Sequence, residues 1–275
     1  MAREHVEFLQ SQQLPWAPCP WPHPGAGSEI KLLSLDPETG ACSYLARLPS
    51  GWRSTLSALA VSEELFVLEG SLDWGERTLG PDCYAHIPAG AARPELRCSQ
   101  GAVLLGFLDA TPRETEAVPG QTASVIDTFE TPWGHEGMDP AYGDLGMRWK
   151  ILHHDEATKD TSMLVLTPSQ LAPPGLRGPQ ERHDCVEEAF LISGDFLSPL
   201  GPMYTGAYFW RPPQVLHGPY GSRHGNVCFI RTHGDVLENN WSTHELTLDR
   251  TASATPLIPS ATYPGLQPWL MDGRY

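Results

Sequence analysis

Four side chains in the second half of this sequence could together hold a divalent metal ion: Glu181, His183, Glu187 and His217. Carboxylate oxygen with imidazole nitrogen suits first-row divalent ions, and such a set accepts Fe, Mn, Ni, Co or Zn. The spacing favours convergence. Glu181 and His183 are two positions apart, so on an extended strand both face the same way, while Glu187 can rejoin them after a bend and His217 arrives from another strand. The competing reading is a solvated loop over residues 181–184, with His217 capping a turn before Gly218-Pro219.

The first half of the chain decides between them. One constant interval separates Glu63 from Glu187, Gly70 from Gly194, Pro88 from Pro212 and Gly101 from Gly225. At that interval Ser57, Leu59 and Arg93 stand opposite Glu181, His183 and His217, so the first copy lacks the donors and any metal chemistry belongs to the second. Glu63 and Arg93 then read as an internal ion pair replacing a metal, or as a pocket in which Arg93 receives an anionic ligand. Upstream, the run from Ile30 to Leu33 with Asp36 and Thr39 matches the run from Trp149 to Leu152 with Asp155 and Thr158, and Pro15-Trp16 matches Pro132-Trp133, each after a short apolar stretch. A period this long is a duplicated domain and not a solenoid, since each unit can bury its own core.

The elements that must position these residues read as β. The chain has 275 residues, 40% hydrophobic and 19% charged, punctuated by 26 Gly and 27 Pro, and no window sustains a helical apolar period. Short runs such as Glu64 to Leu68, Ala189 to Ile192 and Asn226 to Ile230 lie between turn signals, which predicts a sandwich or barrel. A formal charge of −15, with lysine only at positions 31, 150 and 159, argues against nucleic acid or an anionic membrane as partner. Charges near the start leave no apolar signal core, and no stretch approaches a membrane span, so the expected location is cytoplasmic. The six cysteines show no CxxC spacing and read as reduced, buried thiols.

With these motifs in view, the sequence resembles the cupin superfamily, whose two motifs are HxH-x(3–4)-E-x6-G and G-x5-P-x-G-x2-H. The lead-in and the string from Glu63 to Gly70 are similar to ChrR-like bicupins. The resemblance implies an all-β chain of two tandem double-stranded β-helix (jelly-roll) barrels. We divide it into residues 1–115, a barrel with its metal ligands lost; residues 116–240, a barrel with the metal site; and a Pro/Ser/Thr-rich tail over 241–275. The family's three-histidine, one-glutamate set maps onto Glu181 in place of the first histidine, His183, Glu187 and His217.

Around that set, Cys185 reads as a small buried hydrophobe or an extra donor, Gln214 as a pocket or hydrogen-bonding residue, and His233 as a structural residue or one facing the barrel interior. Trp149, Phe190, Tyr204, Tyr208, Phe209 and Trp210 read first as barrel core and second as the wall of an aromatic substrate site. The expected function is a metal-dependent enzyme acting on a small organic molecule. By analogy with the family, dioxygenase chemistry comes first and isomerase, lyase or decarboxylase chemistry next. The alternative is a non-catalytic ligand-binding or sensor bicupin. Bicupins resemble intramolecular dimers, which leaves a further homodimer open. No nucleotide fingerprint or phosphate loop is present.

Overall fold

The structure, a computed structural model, describes residues 3–170, 173, 175–248, 274 and 275. Most of the expected tail therefore lies outside the described residues. Among the described residues the one α-helix, α1, covers only Pro140–Asp144, and no helix is long and apolar enough to cross a membrane. The chain forms two compact units, Met1–Glu4 with Leu14–Thr131, and His5–Gln13 with the residues from Pro132 onward. The first strand, β1 (Val6–Gln10), thus belongs to the second unit.

In the first unit, β2 (Glu29–Leu35), β3 (Cys42–Leu48), β4 (Glu63–Gly70), β5 (Cys83–Ile87), β6 (Ala102–Leu108) and β7 (Ser124–Asp127) form one sheet in the order β7-β5-β4-β6-β3-β2, with Ala17–Pro18 added at the last edge. A smaller sheet joins Trp52–Ser54, Leu96–Cys98, Leu72–Trp74 and Arg77–Leu79. Leu65, Val67 and Leu104 of the large sheet share one buried core with Trp52, Leu72 and Leu96 of the small one. The apolar alternation seen in the sequence thus becomes the inward face of a two-layered antiparallel barrel.

The second unit repeats this order. Its strands β8 (Arg148–His154), β9 (Thr161–Thr167), β10 (Val186–Ser198), β11 (Ala207–Arg211) and β12 (Asn226–His233) lie in the order β1-β11-β10-β12-β9-β8. Local contacts recur as well. Gly70 and Gly194 have φ of 73° and 89°, and a Cβ there would lie 2.0 and 1.9 Å from the carbonyl oxygens of Gly101 and Gly225. Only glycine fits so close an approach. Lys31 lies over the Trp16 ring at 4.8 Å and Lys150 over the Trp133 ring at 4.5 Å.

The units differ from the expected division at their ends. The strand preceding the first unit, β1, pairs with β11 of the second, while β7, which precedes the second unit's Pro132-Trp133, pairs with β5 of the first. The boundary accordingly falls after Thr131 and not at 115. Sequence likeness marks which segments are equivalent; strand pairing decides which unit each one completes.

Candidate metal centre

Glu181 and His217 are fixed opposite each other by a short antiparallel bridge, with Glu181 N donating to His217 O and His217 N to Glu181 O, each at 2.9 Å. The same strip continues where Gln214 N donates to His183 O at 2.8 Å. Alternation along it turns Glu181 and His183 to one side, and Glu181, His183 and His217 each bring a ligand atom within 4.8 Å of the others, all buried. Glu187, at the start of β10, stands beside them. Its Oε2 is 3.8 Å from His183 Nε2 and 3.6 Å from His217 Nε2.

The two imidazoles are oriented for a cation. His183 Nδ1 is 2.9 Å from Glu238 O, and His217 Nδ1 is 2.9 Å from Val215 O. A carbonyl can only accept, so each Nδ1 carries a hydrogen, which leaves Nε2 as the nitrogen able to bind a metal. Burial and the nearby Arg211 push His217 down to about 4, which keeps it neutral at pH 7. The two Nε2 atoms lie 3.2 Å apart, close enough to share either a proton or one cation. Ligand nitrogens about 2.0–2.1 Å from one ion fall ~2.9–3.4 Å apart in tetrahedral or octahedral geometry, so the spacing fits.

The carboxylates are held by residues that sequence reasoning missed. Arg211, fully buried on β11 and directly across from Glu187, donates from Nη1 to Glu187 Oε2 at 2.8 Å and from Nε to Glu7 Oε2 at 2.8 Å. Its Nη2 also reaches Glu7 and the Tyr220 hydroxyl. Burial would raise the Glu187 carboxyl, but Arg211 and the two imidazoles outweigh it and hold it below the usual range. An ionised carboxylate has lone pairs for both an arginine and a metal. Glu181 differs: burial lifts it to about 7 against the opposing hydrogen bond from the Tyr142 hydroxyl of α1. Arg211 left one trace in the sequence, a charge at the position where the first copy has the apolar Ile87. Tyr142 left none.

Three of the four donors, Glu181, His183 and Glu187, open onto a cavity of about 360 Å³. Glu181, His183, Glu187 and Arg211 line one part; Trp149, Phe209 and Trp241 are among its apolar walls. Of the other aromatics, Phe190, Tyr208 and Trp210 are buried core and Tyr204 is exposed. Cys185 is buried, does not line this cavity and has its thiol pushed up to about 12 by burial and Glu187. It is neither donor nor reactive thiolate here. Gln214 turns its side chain to Asp184, and its φ of 69° keeps the left-handed turn that Gly90 makes in the first unit. His233 contacts Asp160 and Glu188 at 3.2 and 3.5 Å and stays outside the cavity.

In the first unit Arg93 Nη1 donates to Glu63 Oε2 at 2.6 Å, and the Tyr44 hydroxyl donates to Glu63 Oε1 at 2.8 Å. His23, also buried, lies 3.5 Å from the same carboxylate. Burial pushes His23 down to about 4; Glu63 opposes that shift and Arg93 adds to it. Its folded value is below the free value of 6.5, so the unfolded chain takes up the proton first. Stability is therefore full above pH 6.5 and falls as the pH drops towards 4, by up to about 3 kcal/mol. Urea unfolding at pH 7.5 and 4.5 tests this: wild type should lose at least 2 kcal/mol more than a His23→Gln variant. Equal losses would mean that His23 does not drive the acid sensitivity.

The fold has solved relatives. A presumptive dioxygenase from Nostoc punctiforme superposes with a TM-score of 0.74 at 17% identity, over 88% of this chain and 92% of that one. Protein YlbA from E. coli, of family DUF861, gives 0.58 at 14% identity over 85% and 93%. Oxalate decarboxylase from Bacillus subtilis gives 0.52 at 13% identity over 85% and 78%. At these identities the likeness carries the fold alone, and that fold is the cupin β-barrel. No curated protein matches significantly. The family model described as "Domain of unknown function (DUF4437)" matches residues 7–239, across the strands of both units and all four candidate ligands, and the chain belongs to that family.

Proposed function

We propose that the second unit is a metal-dependent enzyme site acting on a small organic substrate, with Glu181, His183, Glu187 and His217 holding one divalent transition metal. The observation that carries this reading is the convergence of buried donors: ligand atoms of Glu181, His183 and His217 lie within 4.8 Å of one another, and the two Nε2 atoms, on rings each held by a carbonyl at Nδ1, are 3.2 Å apart. The first unit supports it by contrast. At the equivalent positions Arg93 reaches Glu63, and a guanidinium stands where the cation would be.

Bound there, a metal supplies Lewis-acid polarisation of a chelated oxygen and, if redox-active, activation of O2. The chain supplies the rest. Arg211 keeps Glu187 ionised, Tyr142 holds a proton against Glu181 Oε2, and the apolar walls exclude water from the reacting end. Dioxygenase chemistry is our first reading, with the cupin fold and the Nostoc relative's description in its favour. The Tyr142–Glu181 pair favours a second, proton-transfer chemistry of the isomerase or lyase kind, with Glu181, which burial lifts to about 7, as the group that takes and returns the proton. The cavity beside the donors weighs against a purely structural metal, which is closed by protein ligands.

Elemental mass spectrometry of protein purified without chelator is the test. Near-stoichiometric Fe, Mn, Ni, Co or Zn in wild type, lost in a His183→Ala/His217→Ala double variant, is the expected result. No metal in either protein after reconstitution would overturn the reading.

A further inference from the structure

Resting on that proposed site, the structure also bears on what it accepts. We propose that the cavity takes a ligand with an apolar body about the size of a substituted ring and a single oxygen-bearing end, and that it turns away small polyanions.

Two observations carry this. First, the walls away from the donors are large and uncharged: Met138, Met147, Trp149, Phe209, Leu237 and Trp241 line them. The volume of about 360 Å³ lies near the lower end of the ~300–1,000 Å³ usual for small-molecule sites, which suits one ring and a short substituent. Second, the charge is one-sided. Among the described residues, and apart from the phenols of Tyr142 and Tyr220 and the thiol of Cys228, the ionisable groups lining the cavity are Asp139, Glu181, Glu187, His183 and Arg211, and Arg211 already bridges Glu187 and Glu7. Asp139 is likewise engaged, accepting from Ala141 N, Asn239 Nδ2 and Trp241 Nε1. A ligand with one oxygen-bearing end can place it at the donors and its body on the walls. One with a second negative group would set that group among apolar side chains and ionised carboxylates, with no free cation among the described lining residues to receive it.

Isothermal titration and tryptophan quenching with four probes test the proposal. Benzohydroxamate and acetohydroxamate share one chelating end and differ by the apolar body; oxalate has two anionic ends and no body; n-butylbenzene has a body and no chelating end. Mn(II)-loaded protein should bind benzohydroxamate at least tenfold more tightly than either acetohydroxamate or oxalate. Metal-free protein should still bind n-butylbenzene, with Trp149 and Trp241 as reporters. Met147→Arg, which sets a cation at the half-buried rim, should narrow the benzohydroxamate to oxalate preference at least tenfold, and Leu237→Arg offers the same change from another loop should the first variant not fold.

Oxalate binding as tight as benzohydroxamate, or no binding of n-butylbenzene to the metal-free protein, would overturn the proposal. Failure of the metal reading looks different: n-butylbenzene binds, but the protein takes up no Mn(II).

Discussion

Replacing Arg211 by methionine should lower the onset of thermal unfolding by roughly 10 °C or more. The guanidinium serves two carboxylates at once, Glu7 from β1 and Glu187 from β10, and all three side chains are buried. Methionine keeps much of the volume and the packing on the Phe209 ring, which the guanidinium carbon approaches at 3.5 Å. It leaves two buried charges without their partner. Removing one member of a buried pair costs about 3–5 kcal/mol, and two stranded carboxylates put this case at the upper end or beyond. Arg211→Lys should recover little, because one ammonium cannot make the forked contact to both partners. The variant should also become metal-dependent: a divalent ion next to Glu187 replaces part of the lost charge, so Mn(II) should raise its melting temperature more than it raises that of wild type. Differential scanning calorimetry with EDTA and with Mn(II) reads both effects. An unchanged melting temperature in EDTA would show that the bridge contributes nothing net.

The second large effect is in the first unit. Arg93→Met strands Glu63, which among the described residues keeps the Tyr44 hydroxyl and the nearby His23 ring, and should cost about 3–5 kcal/mol in urea unfolding. The double variant Glu63→Gln/Arg93→Met should regain most of that loss. The pair is itself poorly satisfied, for Arg93 Nε and Nη2 are buried with no hydrogen-bond partner among the described residues. A neutral amide on the tyrosine removes both the stranded charge and those unpaired donors. A double variant no more stable than Arg93→Met alone would mean that the arginine acts through packing and not through charge.

How much of this could be read from the sequence depends on the range of the contacts. Gly70, Gly194 and the matching Trp16 and Trp133 stood out as repeated positions because each serves a local geometry that tolerates few residue types, whereas the lysine over each of those rings became visible only in the structure. The trio of Glu181, His183 and His217 could be named because strand alternation and one bridge bring it together. Glu7, Tyr142 and Arg211 could not, since their roles follow from pairings between distant segments that no spacing rule encodes. Cys185, Gln214 and His233 were legible as candidates around the ligands, yet none lines the cavity: Cys185 and Gln214 lie in a bend and a turn, and His233, at the end of β12, faces Asp160 and Glu188. A residue number near a ligand says little about the side from which its side chain emerges.

The exchange of edge strands sets an order of events during synthesis. β1 is synthesised well before its partner β11, so Glu7 waits through the 204 residues that separate it from the arginine that neutralises it. Closing so long a loop is slow and comes late, and the second barrel's final hydrogen-bonded edge depends on a segment that the first barrel has already passed. A fragment starting at Pro132 would carry all four candidate ligands and still lack the strand and the carboxylate that hold Arg211 in place. The two units thus interleave along the chain, and the proposed metal site in the second rests on a strand that precedes the first in sequence.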